Sequence, residues 1–221
     1  MDFGLAFSYV FKEEDWFKKI AIPALCSLIP IIGPMIVSGW SLKATKNVID
    51  GNAENALPDL DFGADLGRGF MAVLITAIYN IPVAIFVAAA SGLFAAGGNA
   101  DQAISVVFFI LGGCAGLIGL LLGLLVIFLN VVAIANFVAT GEFGAAFRFK
   151  ELFKMLKSFG AWALAVLGSI IGLGLIAPLG MIACGIGALL TTAYGSAVYA
   201  HLLGQAYVKS HVDEVEVVEI L

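Results

Sequence analysis

The segment "DLDFGAD", residues 59–65, places Asp59, Asp61 and Asp65 at the first, third and seventh positions, with Gly63 between them. That spacing resembles the start of a calcium loop, in which alternate carboxylates converge on a hard cation. The register fails further on. A complete loop needs glycine at its sixth position and a bidentate glutamate at its twelfth, and here those positions hold Ala64 and Phe70. The segment reads instead as a solvated acidic loop, with Asp65 near the start of the next helix, where a carboxylate favours the positive N-terminal end. Cys26, Cys114 and Cys184 are widely separated and lie in apolar runs. They have no zinc or redox spacing and read as buried small hydrophobes. The chain has no H-E-x-x-H, no Gly-rich phosphate loop with its lysine, and no Ser or Cys nucleophile beside a His or acid in sequence. No catalytic residue, metal ligand or cofactor is assigned, and the chain reads as not an enzyme.

A second group of polar residues lies inside apolar runs: Asn80, Asn130 and Asn136, with Pro82 close after Asn80. Amides in lipid bond between helices, at about 0.5–2 kcal/mol each. Lining one cavity, they would make a polar path instead. The last run adds Thr191, Thr192, Tyr194, Ser196, Tyr199, His201 and Gln205. Thr192, Ser196 and Tyr199 share a helix face by their spacing of four and three, as a packing seam or one wall of such a path. His201 falls within two turns of the expected inner surface, which suits an interfacial histidine better than a proton relay. Asn80, Asn130, Asn136 and Tyr199 are the candidate intramembrane site. No run carries a charge near its centre, which pumps, proton-coupled carriers and voltage sensors generally require.

The elements that must position these groups are membrane helices. Of 221 residues, 62% are hydrophobic and 12% charged, and the mean hydropathy is +1.06. Soluble domains are nearer half apolar and a quarter charged. The net charge of −5 gives no support to nucleic-acid binding. No basic n-region or small-residue cleavage site marks the N-terminal stretch, so it is expected to be retained. We expect one membrane domain over residues 1–221. Residues 70–90, 103–140, 160–177 and 180–208 read as four transmembrane helices. The third run, charge-free throughout, is expected to be one long helix, about 55 Å at 1.5 Å per residue, tilted or protruding at one end. "APLG", residues 177–180, is expected to be a tight hairpin between the last two spans. Residues 1–19 read as an interfacial segment and residues 209–221 as an acidic tail.

Residues 20–40, "IAIPALCSLIPIIGPMIVSGW", pose a fork. The run is apolar enough to span, but Pro30, Gly33 and Pro34 interrupt its middle. The positive-inside rule counts Lys and Arg near span ends. The loop 93–102 and the 177–180 hairpin have none, whereas residues 142–158 have four. This puts those two loops outside, residues 41–69 and 142–158 inside, and the C-terminus in the cytoplasm. A re-entrant hairpin over 20–40 would place every Lys and Arg on the inner face. A fifth span would place Lys12, Lys18 and Lys19 outside.

Residues 142–158, "EFGAAFRFKELFKMLKS", interleave aromatics and cations, as an interfacial amphipathic helix does. Trp16, Trp40, Phe147, Lys150, Phe153, Lys154, Lys157 and Trp162 are the expected membrane-interface residues. Gly112, Gly116, Gly119 and Gly123 in the third run, and Gly168 and Gly172 in the fourth, have the four-residue spacing that lets helices dock closely. Packing within the chain is the plainer use of them. A seam for a partner, or for a second copy, is the other.

Several short motifs together carry a resemblance: Trp16 with Lys19, Pro30-Ile31, Gly39-Trp40, Lys43 and Leu57-Pro58, then "YNIP" at 79–82 and "ATGEFGAAFRF" at 139–149. The chain resembles a family of small prokaryotic membrane proteins catalogued as domain of unknown function 4013. Leu60 departs from the aromatic expected near the Leu-Pro pair. The resemblance implies a multi-helix membrane protein and no assigned activity. The fold expected is all-α integral membrane: four transmembrane helices, a Pro/Gly-broken N-terminal re-entrant hairpin or fifth span, and amphipathic interfacial helices. The function expected is that of a non-catalytic scaffold or accessory subunit in the cell membrane. Its partners would be the lipid bilayer and another membrane protein or a second copy. The alternative is a passive channel or carrier for a small neutral or apolar solute.

Overall fold

The structure, a computed structural model, describes residues 1–183 and 186–219. Every regular element among them is helical. Three helices are long and apolar enough to cross a membrane: Phe62–Gly98, Gln102–Thr140 and Phe159–Ile176. The shortest is about 27 Å at 1.5 Å per residue, close to the ~30 Å hydrocarbon core. Their outward surfaces are apolar. Ile81, Ile85, Leu117, Leu120, Leu121 and Leu124 all stand more than half exposed, as lipid-facing side chains do. By length and composition these three helices suit a membrane.

The described chain divides into two compact units, Thr76–Asn130 and the remainder. The smaller unit contains parts of α4 (Phe62–Gly98) and α5 (Gln102–Thr140). They form an antiparallel hairpin floored by glycine. A Cβ on Gly112 would meet the Phe94 ring at 3.0 Å, one on Gly116 would meet Ala90 at 3.7 Å, one on Gly119 Phe86 at 3.3 Å and one on Gly123 Val83 at 3.8 Å. Each step along one helix is matched by a step back along the other, so the register does not slip. This unit has one charged residue, Asp101, near the hairpin's tip; all eleven Lys and Arg belong to the larger unit.

The larger unit is built round α9 (Ile186–Glu219). The expected last span, residues 180–208, falls mainly on α9, which is not among the three apolar helices. Its polar residues lower its hydropathy, and it serves as an enclosed axis. Ala197, Val198, Ala200, Leu202, Leu203 and Ala206 are fully buried. α1 (Phe3–Ser8), α2 (Trp16–Cys26), α3 (Ile32–Ile49) and α7 (Phe159–Ser169) all pack on it. α7 continues as a π-helix, Ile170–Ile176. At "APLG" the chain stays helical, as α8 (Ala177–Leu179) and a 3-10 turn, Gly180–Ala183. Residues 177–180 are thus not the tight turn expected of them, because proline is tolerated in the first turn of the helix it begins. Residues 209–219 continue α9 rather than forming a separate tail.

Residues 20–40 turn back on themselves. Lys19 Nζ donates to the Leu57 carbonyl (3.1 Å) and Trp40 Nε1 to the adjacent Pro58 carbonyl (2.9 Å). α2 and α3 pack on each other. Gly33 makes the turn possible, since a Cβ there would lie 2.2 Å from the Cys26 carbonyl oxygen. The tip is apolar and outward: Leu25, Leu28 and Ile31 are 63%, 60% and 76% exposed. Ile31 has φ 67° and ψ −55°, and Ile32 N–H donates to the Pro30 carbonyl at 2.7 Å. That is a γ-turn of the strained kind.

Several further expectations are corrected. The N-terminal segment is docked on the core through one face: Ala6, Tyr9 and Val10 are fully buried, while Phe11 and Phe17 stand exposed. Residues 142–158 are not one helix. A 3-10 turn, Phe143–Phe147, precedes α6, Phe149–Met155, and the break falls at Arg148 with ψ 70°. Asp65 is fully buried rather than solvated. It sits in the first turn of α4, accepts from the Asp61 N–H and pairs with Arg68 at 2.7 Å. Cys114 is exposed and Cys26 partly so, because the first faces outward from α5; Cys184 lies outside the described residues.

Candidate functional site

Residues 53–59 form an irregular strap, and an irregular strand has no ladder to satisfy its backbone. Ala56, Leu57 and Pro58 are buried, where an unpaired carbonyl costs about 1–3 kcal/mol. Side chains supply the donors. Asn47 Nδ2 donates to Ala56 O (3.0 Å), Lys19 Nζ to Leu57 O (3.1 Å), Trp40 Nε1 to Pro58 O (2.9 Å) and Lys43 Nζ to Asp59 O (3.0 Å). His201 Nε2 lies 2.8 Å from Ala53 O. Three clamps, Trp40, Lys43 and Asn47, come from one face of α3 at spacings of three and four. Lys19 also pairs with Glu13, in the turn before α2, at 2.9 Å.

The N-terminal segment is latched to α9 in the same manner. The Tyr9 hydroxyl donates to Ala197 O (3.0 Å) and Tyr194 to Phe7 O (2.8 Å). Burial, and less so the nearby Tyr194, pushes the Tyr9 hydroxyl well above its ordinary pKa, so it stays a donor. Gln205 accepts from the Asp2 N–H, donates to Asp2 O and reaches His201 Nδ1 at 2.9 Å. With Nε2 facing a carbonyl, this network assigns the proton of His201 to Nε2. The Tyr9 ring stands 4.5 Å from the imidazole.

The candidate intramembrane residues fall in both units. Asn80 and Asn130 belong to the smaller unit. Asn130 Oδ1 accepts from Thr76 Oγ1 (3.3 Å), a bond between the two helices, while Asn80 Nδ2 donates to its own helix at Thr76 O (2.8 Å). Asn80 edges an open groove of about 520 Å³ with a floor that includes Gly116, Gly119 and Gly123. Asn136 and Tyr199 lie in the larger unit. Asn136 is buried and donates to Ala145 O (3.0 Å), pinning the 3-10 turn after α5. Thr192 and Ser196 bond back to their own helix at Ala188 O and Thr192 O. Gly168 and Gly172 face α9: a Cβ on the first would touch Leu202 at 2.3 Å, and one on the second the Gly195 carbonyl at 2.7 Å. All six glycines thus lie in seams between helices of this chain.

The expected interface residues divide. Trp40 and Trp162 are fully buried, because their indole N–H groups reach Pro58 O and, at 2.9 Å, Met155 O. They are core residues, not interface anchors. Trp16 and Phe147 are partly buried, while Lys150, Phe153, Lys154 and Lys157 are exposed. α6 buries Leu152 and Met155 and turns Phe149 and Phe153 outward. Glu142 and Glu151 both sit on Arg148.

Sequence reasoning missed Asn47 and the strap role of His201. A signal existed, since the short motifs at Lys19, Trp40, Lys43 and Leu57-Pro58 meet at this one strap. Among the described residues no group of three or more His, Cys, Asp or Glu is placed to hold a metal ion. No curated protein and no solved structure matches the chain. Residues 22–191 match the family described as "Protein of unknown function (DUF4013)". The match runs from the second half of α2 through α3, the strap and both long helices to the start of α9, and the chain belongs to that family.

Proposed function

We propose that the chain is a non-catalytic scaffold or accessory subunit of the cell membrane, associating with lipid or another membrane protein. One observation carries this reading: the side chains best equipped for chemistry are committed to the chain's own carbonyls. Lys19, Trp40, Lys43, Asn47 and His201 all end on the strap at residues 53–59. Such a network fixes a shape, and it occupies these five side chains with the backbone of the strap. The topology we propose with it has α4, α5, α7 and α9 crossing the bilayer and the α2–α3 hairpin entering and returning. The C-terminus lies in the cytoplasm. The exposed Leu25, Leu28 and Ile31 at the hairpin's tip support that placement.

The purified chain, reconstituted in liposomes, tests the reading by flux of small neutral solutes. Permeability equal to that of protein-free liposomes is expected. Flux that Asn80→Leu or Asn130→Leu abolishes would overturn the scaffold in favour of a carrier.

A further inference from the structure

We propose that the segment joining α5 to α7 is a binding site for acidic phospholipid headgroups, with Lys150, Lys154 and Lys157 on the phosphate and Phe149 and Phe153 at the acyl boundary. The proposal rests on the membrane reading above and names the lipid class. α5 ends at Thr140 and α7 starts at Phe159, and α5 and the α7 helix with its π-helical continuation to Ile176 are long and apolar enough to cross a membrane. A segment that links two such helices lies where both meet the membrane surface. It is also held rigidly there. Asn136 donates to Ala145 O from α5, and Trp162 donates to Met155 O from α7.

The surface it offers has two chemistries side by side. At 100° per residue, α6 turns Leu152 and Met155 inward, Phe149 and Phe153 to one flank, and Lys150 and Lys154 beyond them. Lys157 follows in the next turn. Phe149, Phe153 and Phe159 are 49%, 53% and 56% exposed. Across residues 142–158 four cations face two acids, an excess of positive charge. A soluble anion would meet the lysines and leave the phenyl rings in water. An anionic bilayer surface takes the cations at its headgroups and the rings beneath them.

The test uses the full chain in phosphatidylcholine bilayers with traces of spin-labelled phosphatidylglycerol or phosphatidylcholine. The fraction of label immobilised by protein is read for each. A preference for phosphatidylglycerol on the order of threefold is expected for the wild type at low salt. It should fall to parity in K150Q/K154Q/K157Q and persist when the same lysines become arginine. K12Q/K18Q/K209Q, with the same loss of charge elsewhere, should keep it. These lysines are exposed, and a monodisperse elution profile verifies the fold of each variant. Parity in the wild type, an unchanged preference in the glutamine variant, or equal loss in the control would each overturn the site. Loss of the preference on adding about 10 mM inorganic phosphate, at constant ionic strength, would show a soluble-phosphate site and overturn the lipid assignment. Solute flux is not read here, so failure of this proposal is distinguishable from failure of the scaffold reading.

Discussion

Gly39 of α3 and Gly69 of α4 pack backbone against backbone. A Cβ on Gly39 would lie 1.7 Å from the Asp65 carbonyl oxygen, and one on Gly69 would lie 1.8 Å from that of Met35. Arg68 closes the junction by donating to Gly39 O at 3.2 Å while paired with Asp65. No side-chain motion relieves such a clash, because both sides are main chain. Gly39→Ala or Gly69→Ala should therefore cost on the order of 3 kcal/mol, as overpacking against backbone does. Gly113→Ala, where a Cβ would meet nothing within 4 Å, should be neutral or gain up to ~1 kcal/mol of helix propensity. Thermal unfolding of the three variants in one detergent checks the order. Equal midpoints would show that the helices do not approach as described.

The strap makes a second prediction. Trp40→Phe keeps most of the packing but leaves the Pro58 carbonyl without its donor, which should cost about 1–3 kcal/mol. Lys43→Gln acts on an exposed bond and should cost under ~1 kcal/mol. Glu54, with its side chain 76% exposed, gives a local readout through cleavage by a glutamate-specific protease. Faster cleavage in Trp40→Phe than in Lys43→Gln is expected. The reverse order would mean that the indole does not hold the strap.

These two contacts also show what the sequence could and could not reveal. Pro30, Gly33 and Pro34 raise the possibility of a reversal in residues 20–40, because they interrupt a helix locally. The charge-free third run indicates one long helix for the same local reason, since nothing within it ends one. The glycine spacings point to close seams. Trp40 and Trp162 were misread because tryptophan suits a membrane interface on average, while their partners are carbonyls fixed only by the tertiary fold. Tyr9 is buried through its bond to Ala197, nearly the whole chain away. Local pattern gives the elements, and long-range hydrogen bonds decide which polar groups are consumed.

Ile31 gives a prediction with the opposite sign. A β-branched residue at φ 67° pays steric strain, on the order of 1–3 kcal/mol. Ile31→Gly removes that strain and gives back part of it as lost chain stiffness, so a net gain of ~0.5–1 kcal/mol is expected. Ile31→Ala keeps a Cβ and should not gain. Unfolding midpoints decide between them, and a lower midpoint for Ile31→Gly than for Ile31→Ala would contradict the γ-turn.

The last prediction concerns sidedness. Within the larger unit, Asp2 bonds to Gln205, Thr45 Oγ1 donates to Ala200 O (3.0 Å), and Lys46 Nζ donates to Ala139 O (3.3 Å). These contacts bring the N-terminus, the end of α3 and the end of α5 to the same region as the second half of α9. α6 begins within ten residues of Thr140, so the N-terminus and the basic segment belong to one face if residues 20–40 return. Ser8 and Lys157 are exposed and suit single-cysteine labelling in a background without Cys26, Cys114 and Cys184. A membrane-impermeant maleimide should reach Ser8→Cys and Lys157→Cys from the same side of sealed vesicles. Asn99→Cys, near the tip of the α4–α5 hairpin, should label from the other. Ser8→Cys labelling together with Asn99→Cys would require residues 20–40 to cross, because the N-terminus could reach that side by no other segment.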